Sequence, residues 1–159
     1  MLDATVLINF ALVNRLDLLY RVGTCLVPPA VRDEIQRPDE RRALETALAG
    51  GWLEAVDPTA EEFRRAAGLM ESLGPGESEA AAIAEMGQCV LAADNGAARS
   101  RLGRHGITVP YTGTAAILSW LVLEAVITPA EGNELLRRMI AQGYRSPVED
   151  LSDVPDHSQ

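Results

Sequence analysis

The sequence predicts an α/β fold built on a mostly parallel sheet, and two features predict it. Short apolar runs of strand type alternate with longer stretches of helical periodicity, the order in which helices act as crossovers between parallel strands. The alternation runs through all 159 residues without an internal repeat, a low-complexity tract or a dividing linker. A chain of that length fits one domain and buries roughly 70% of its unfolded surface.

Strands are expected at residues 1–3, 24–27, 52–56, 89–93 and 108–109. Helices are expected at 5–14, 29–36, 40–49, 60–72, 77–86 and 97–104, then at 113–124 and 129–142. The first strand is brief, because only Met1 and Leu2 precede Asp3. Val27 leads through Pro28-Pro29 into the second helix, and Leu73-Gly74-Pro75-Gly76 is a turn into an Ala-rich helix whose small residues allow close packing on the sheet. Thr128-Pro129-Ala130-Glu131 joins an N-cap, a first-turn proline and an acid at the start of the last helix, and Gly143 suits its end. From Ser152 the chain is polar and contains proline, so a domain over 1–151 with a fraying tail over 152–159 is expected.

An apolar share of 47%, with only 4% aromatic residues, belongs to an ordinary globular protein. The longest uncharged apolar stretch, residues 115–123, is about half of what crosses a membrane. Met1-Leu2-Asp3 lacks the basic-then-apolar order of a secretion signal, so a cytoplasmic protein with no membrane partner is expected. Cys25 and Cys89 lie in strand-like runs without a CxxC or a His cluster and read as buried thiols. His105 and His157 are too few for a zinc site of the His/Cys type. The net charge of −9 argues against a broad basic face for nucleic acid, but it suits a site whose carboxylates hold divalent cations against phosphates.

In parallel α/β sheets ligands bind outside the carboxyl ends of the strands, so acids there are the first candidates. Asp3 ends the first run and precedes Thr5; Asp94 ends Val90-Leu91-Ala92-Ala93 and precedes Asn95. Either acid alone reads equally as a helix cap. Together, on neighbouring strands, they form a pair of like charges that a cation or a shared proton relieves. Glu77 and Glu79, in the first turn of the Ala-rich helix, also complement the helix dipole. Positions two apart on a helix point roughly 200° apart, so only one of these two faces a common pocket. Glu34, in Val31-Arg32-Asp33-Glu34-Ile35, lies on the helix after the second strand.

These segments resemble the PIN domain family. Asp3-Ala4-Thr5-Val6-Leu7-Ile8 looks like its opening block and Val27-Pro28-Pro29-Ala30-Val31-Arg32-Asp33-Glu34-Ile35 like its second. Gly74-Pro75-Gly76-Glu77-Ser78-Glu79-Ala80 is similar to the Gly-Glu-x-Glu-Ala block of one PIN-like subfamily, and Leu91-Ala92-Ala93-Asp94-Asn95-Gly96 to the fourth block. Tyr111-Thr112-Gly113-Thr114 matches a Gly-Thr block, and residues 140–145 a late Gly-aromatic-Arg turn. The resemblance implies a three-layer α/β/α PIN-like fold with a central, mostly parallel sheet. It implies a nuclease domain over 1–151, with Asp3, Glu34, Glu77 and Asp94 as catalytic acids and as ligands of Mg²⁺ or Mn²⁺, and Glu79 as the alternative to Glu77. Thr5 and Asn95 would support the ligands; where many relatives carry a second aspartate this chain has Asn95, which adds no charge.

The expected activity is metal-dependent endoribonuclease cleavage of RNA. Arg99, Arg101 and Arg104, the one tight basic cluster, are the candidate RNA contacts. The resemblance further implies the toxin of a toxin–antitoxin pair, with a small antitoxin protein and a homodimer as partners. A housekeeping RNA-processing nuclease and a PIN-like scaffold without turnover are the alternatives. A phosphatase of the haloacid dehalogenase type fits poorly: its second aspartate is replaced by Thr5, and its catalytic lysine is missing because all 14 basic residues are arginine.

Overall fold

The computed structural model describes residues 1–155; the end of the expected tail, 156–159, lies outside the described residues. Four two-residue strands, β1 (Leu26–Val27), β2 (Glu54–Ala55), β3 (Leu91–Ala92) and β4 (Tyr111–Thr112), form two parallel pairs, β1 with β2 and β3 with β4. The stub Met1-Leu2 joins the pairs. Leu2 N donates to Leu26 O at 2.9 Å, Ala92 N donates to Met1 O at 2.8 Å, and Asp3 N donates to Ala92 O at 2.9 Å. Leu2 pairs with Ala92 in parallel register, so the spatial order runs β2, β1, stub, β3, β4. The α/β class and the parallel pairing read from the sequence are observed.

Eight helices connect and cover these strands: α1 (Ala4–Leu12), α2 (Pro29–Glu34), α3 (Pro38–Ala49), α4 (Ala60–Leu69), α5 (Pro75–Met86), α6 (Gly96–Arg104), α7 (Thr114–Leu123) and α8 (Pro129–Ala141). Their starts follow local chemistry. Thr59 and Glu62 close a capping box on α4, Thr128 accepts from Glu131 N at 3.2 Å on α8, and proline occupies the first turn of α2, α3, α5 and α8. One helical group packs α5 against α2 and α4, the other packs α1 against α3, α7 and α8. Phe10, Leu19, Leu69, Leu118, Leu121 and Met139 are all but fully enclosed in the core between the elements.

Three expectations need correction. The last strand is Tyr111–Thr112 rather than residues 108–109. Pairing with β3 begins at Pro110, whose carbonyl accepts from Leu91 N at 2.8 Å, and continues with Ala93 N donating to Thr112 O at 3.0 Å. The β-branched pair Thr108-Val109 lies before that register and remains connecting chain, although its propensity for strand is high. Second, the segment Leu16–Val22, between the first expected helix and the second expected strand, adds a 3-10 helix to the expected elements and buries Leu16, Leu18 and Leu19. Third, Cys89 is half-buried at the core edge, whereas Cys25 is buried as expected, and burial pushes its thiol pKa up.

Gly132 on α8 marks the closest helix approach. A Cβ there would stand 2.7 Å from Val122 Cγ2 and 2.8 Å from Leu151 Cδ1. Gly132→Ala gains roughly 0.5–1 kcal/mol of helix propensity but overpacks the contact at a cost of about 1–3 kcal/mol. The overpacking is expected to win, lowering the thermal midpoint by a few degrees in calorimetry; an unchanged or raised midpoint contradicts the close packing of α7, α8 and the Leu151–Asp153 turn.

Candidate active site

Because the stub and β3 are adjacent and parallel, their carboxyl ends bring Asp3 and Asp94 together. Asp3 is the N-cap of α1 and is 2% exposed. Its Oδ2 accepts from Thr5 Oγ1 at 2.8 Å and from Thr5 N at 3.4 Å. Its Oδ1 is buried and has no hydrogen-bond donor among the described residues. Burial is the main reason the carboxyl pKa is raised, the Thr5 bonds oppose the rise, and the charge of Glu77 adds to it. The Thr5 hydroxyl also accepts from Asp94 N at 3.1 Å, so one side chain ties the two strand ends.

Asp94 is treated differently. Its Oδ1 accepts from Thr114 N at 2.8 Å and Tyr144 Oη at 3.1 Å; its Oδ2 accepts from Thr114 Oγ1 at 2.6 Å and Asn9 Nδ2 at 2.9 Å. Four donors match the roughly four lone-pair sites of a carboxylate. Gly113 permits this approach, since a Cβ there would lie 2.9 Å from Asp94 Oδ1. Burial and the charge of Asp94 push the Tyr144 hydroxyl pKa well up, so Tyr144 stays a donor at physiological pH.

Glu77 is the member of the α5 pair that faces these acids. Its Oε1 accepts from Asn95 Nδ2 at 2.7 Å, its Oε2 lies 3.7 Å from Arg101 Nη2, and its charge is felt at Asp3. Glu79 points elsewhere: its Oε2 accepts from Ala30 N at 2.7 Å at the start of α2. Glu34 caps the other helix of that contact, with Oε1 accepting from Gly76 N at 2.7 Å. Its carboxylate fills the space beside Gly76, where a Cβ would lie 2.6 Å from Glu34 Oε1, and so it sits next to the backbone of Glu77.

Tyr111 stands among the three central acids. Burial and the charges of Asp3, Glu77 and Asp94 push its hydroxyl pKa up, and that hydroxyl donates to Asn95 O at 3.0 Å. The Arg99 guanidinium lies 5.6 Å from the ring centroid, a cation–π distance. Of the three arginines singled out in the sequence, Arg99 and Arg101 thus turn towards the acids, and Arg104 is exposed.

The sequence reading missed Asn9, Thr114 as a ligand of Asp94, Tyr111 and Tyr144. Asn9 had a signal: it is a polar residue inside the apolar run Val6-Leu7-Ile8-Asn9-Phe10 and is 6% exposed. Thr114 and Tyr144 lie within blocks noted for their glycines.

A divalent cation fits the donor chemistry here. The acids supply only oxygen, which selects hard ions such as Mg²⁺ or Mn²⁺, and the orphaned Asp3 Oδ1 is a buried anionic oxygen that a cation would satisfy. In the present side-chain arrangement, no three His, Cys, Asp or Glu among the described residues are grouped to share one ion. Asp3 and Glu77 are the residues with room to do so, since Asp94 already holds its four donors.

A family model described as a PIN domain matches residues 1–156, and no curated protein matches the chain. The match covers every element described above and all the acids of the site. The chain belongs to the PIN domain family.

Proposed function

We propose that this protein is a Mg²⁺- or Mn²⁺-dependent endoribonuclease and the toxin of a toxin–antitoxin pair. PIN domains are generally nucleases that use divalent metals, which supports phosphodiester hydrolysis. One observation carries the finer reading: a buried aspartate with a donorless oxygen stands beside a second strand-end acid and Glu77. Such a cluster costs stability unless a cation occupies it.

In this reading Asp3 and Glu77 bind the ion directly, and Glu34 holds the start of α5 so that Glu77 projects inward. Asp94, fixed by its donors, contributes its charge to the site. A bound divalent ion supplies the lowered water pKa and the charge that phosphoryl chemistry needs. Arg99 and Arg101 are the phosphate contacts nearest the acids. Antitoxin, RNA and second-copy contacts rest on the resemblance of the chain as a whole to toxin-type ribonucleases. A scaffold without turnover is the second reading, favoured by the fully occupied Asp94 and by Asn95 in place of an acid.

Purified protein stripped with chelator is expected to cut single-stranded RNA only after Mn²⁺ or Mg²⁺ is restored. Asp3→Asn and Asp94→Asn should each lower the rate roughly 100-fold or more while circular dichroism stays unchanged. Cleavage by either variant at the rate of the parent overturns the assignment, and a parent that neither cuts RNA nor binds Mn²⁺ in calorimetry leaves the scaffold reading.

Asp3→Asn should also stabilise the metal-free protein at pH 7, because Asn caps a helix as well as Asp and removes a buried charge, which costs more to bury than a neutral polar group. The sign follows from linkage. A carboxyl whose folded pKa is raised keeps its proton longer in the native state, so native stability falls as pH rises above the unfolded value of 3.8. The advantage of the variant is therefore full at neutral pH and shrinks as pH falls towards 3.8. A lower melting temperature for Asp3→Asn at pH 7 would mean that the buried charge is not a cost.

A further inference from the structure

Asp94 is held from three separate places in the chain, Asn9, Thr114 and Tyr144, which lie 85, 20 and 50 residues away. Thr114 donates through both its backbone N and its hydroxyl from the start of α7, Asn9 donates from α1, and Tyr144 donates from the turn after α8. The Tyr144 ring is 8% exposed, and its hydroxyl also accepts from Ala115 N at 3.3 Å. Its backbone is fixed as well: Gly143 adopts φ +108°, and Tyr144 N donates to Met139 O at 3.0 Å. A tyrosine anchored at both ends meets one oxygen of a carboxylate whose other oxygen is held by Asn9 and Thr114.

We propose that Tyr144 is a positioning residue of the proposed nuclease centre, fixing the rotation of the Asp94 carboxylate from the C-terminal turn. The carboxylate turns about its Cβ–Cγ bond, and each oxygen is gripped by two donors on opposite sides of that axis. Removing the Tyr144 hydroxyl leaves Oδ1 with Thr114 N alone and frees the group to rock. Asp94 then presents its charge to the ion and the scissile phosphate at varying angles, which weakens both metal binding and turnover. RNA binding away from the acids is untouched. The assignment rests on the nuclease reading above.

Tyr144→Phe keeps the ring and removes only the hydroxyl. Expected is a fall in kcat of roughly tenfold and a rise in the Mn²⁺ dissociation constant of about tenfold by calorimetry, the scale seen when an outer hydrogen-bonding partner of a metal site is lost. KM for RNA should stay within about twofold. Tyr20→Phe, at a surface tyrosine that is 60% exposed, serves as the control and should match the parent. The variant also strips Ala115 N of its acceptor, so a lower melting temperature is expected under either role and decides nothing alone. A Phe variant that melts earlier yet keeps the parent's kcat and Mn²⁺ affinity overturns the positioning role while the nuclease reading stands. A parent that neither binds Mn²⁺ nor cleaves RNA overturns both.

Discussion

The structure depends on a two-residue stub. Met1, Leu2 and Asp3 contribute three backbone hydrogen bonds, one to Leu26 and two to Ala92, and these turn two separate parallel pairs into one sheet. Strands of two residues have little to hold them by themselves; each ladder here is short, β2 at the edge is exposed, and the helices packed on the central strands need a continuous surface. The same three bonds place Asp3 at the stub's carboxyl end beside Ala93 and Asp94 at the end of β3. Sheet continuity and the approach of the two acids are one constraint, so the chain cannot relieve the repulsion by separating the strands without splitting its own core.

Two acids at neighbouring strand ends are handled in opposite ways. Asp94 receives four donors, and its negative charge is spread into the Asn9, Thr114 and Tyr144 dipoles. Asp3 receives donors on one oxygen only and keeps the other bare within the protein. Charge-assisted bonds are roughly twice as strong as neutral ones, so Asp94 is a settled anion and Asp3 an unsettled one. Retaining a bare buried carboxylate is a cost that folding alone does not explain, because Thr5 could have been joined by another donor on the open side. The proposed metal-binding role would account for the asymmetry: the satisfied acid would define the frame and the unsatisfied one would be left for the ion.

Much of this was legible in the amino-acid order, and the reasons for the misses are physical. Strand-end acids are visible because a charge that ends an apolar run breaks its pattern, as Asp3 and Asp94 do. The angular step between positions two apart on a helix separates Glu77 from Glu79, and the structure sends Glu77 to Asn95 and Arg101 and Glu79 to Ala30 N. Tyr144 carried no comparable signal, since an aromatic after a helix-ending glycine reads as core packing, and only the folded chain brings its hydroxyl to Asp94. Strand β4 was displaced for a related reason: propensity favoured Thr108-Val109, whereas register is set across strands, where Leu91 and Ala93 fix Pro110 and Thr112 as their partners.

In the proposed nuclease an acidic protein would have to approach a polyanion, and the placement of its arginines bears on how. With a net charge of −9, long-range attraction to RNA would be absent, so affinity would have to come from short-range contacts at the site. Arg101 reaches Glu77 at 3.7 Å, and its Nε is buried without a hydrogen-bond partner among the described residues; Arg99 lies over Tyr111. Arg101 therefore sits beside an acid of the site and offsets repulsion there. In the proposed nuclease, an ion held by Asp3 and Glu77 would take over that neutralisation and leave the guanidinium of Arg101, a planar group with several donors, suited to a phosphate. On that proposal the basic residues of the site would follow the same logic as its acids, with ion and phosphate completing an arrangement the protein alone leaves unfinished.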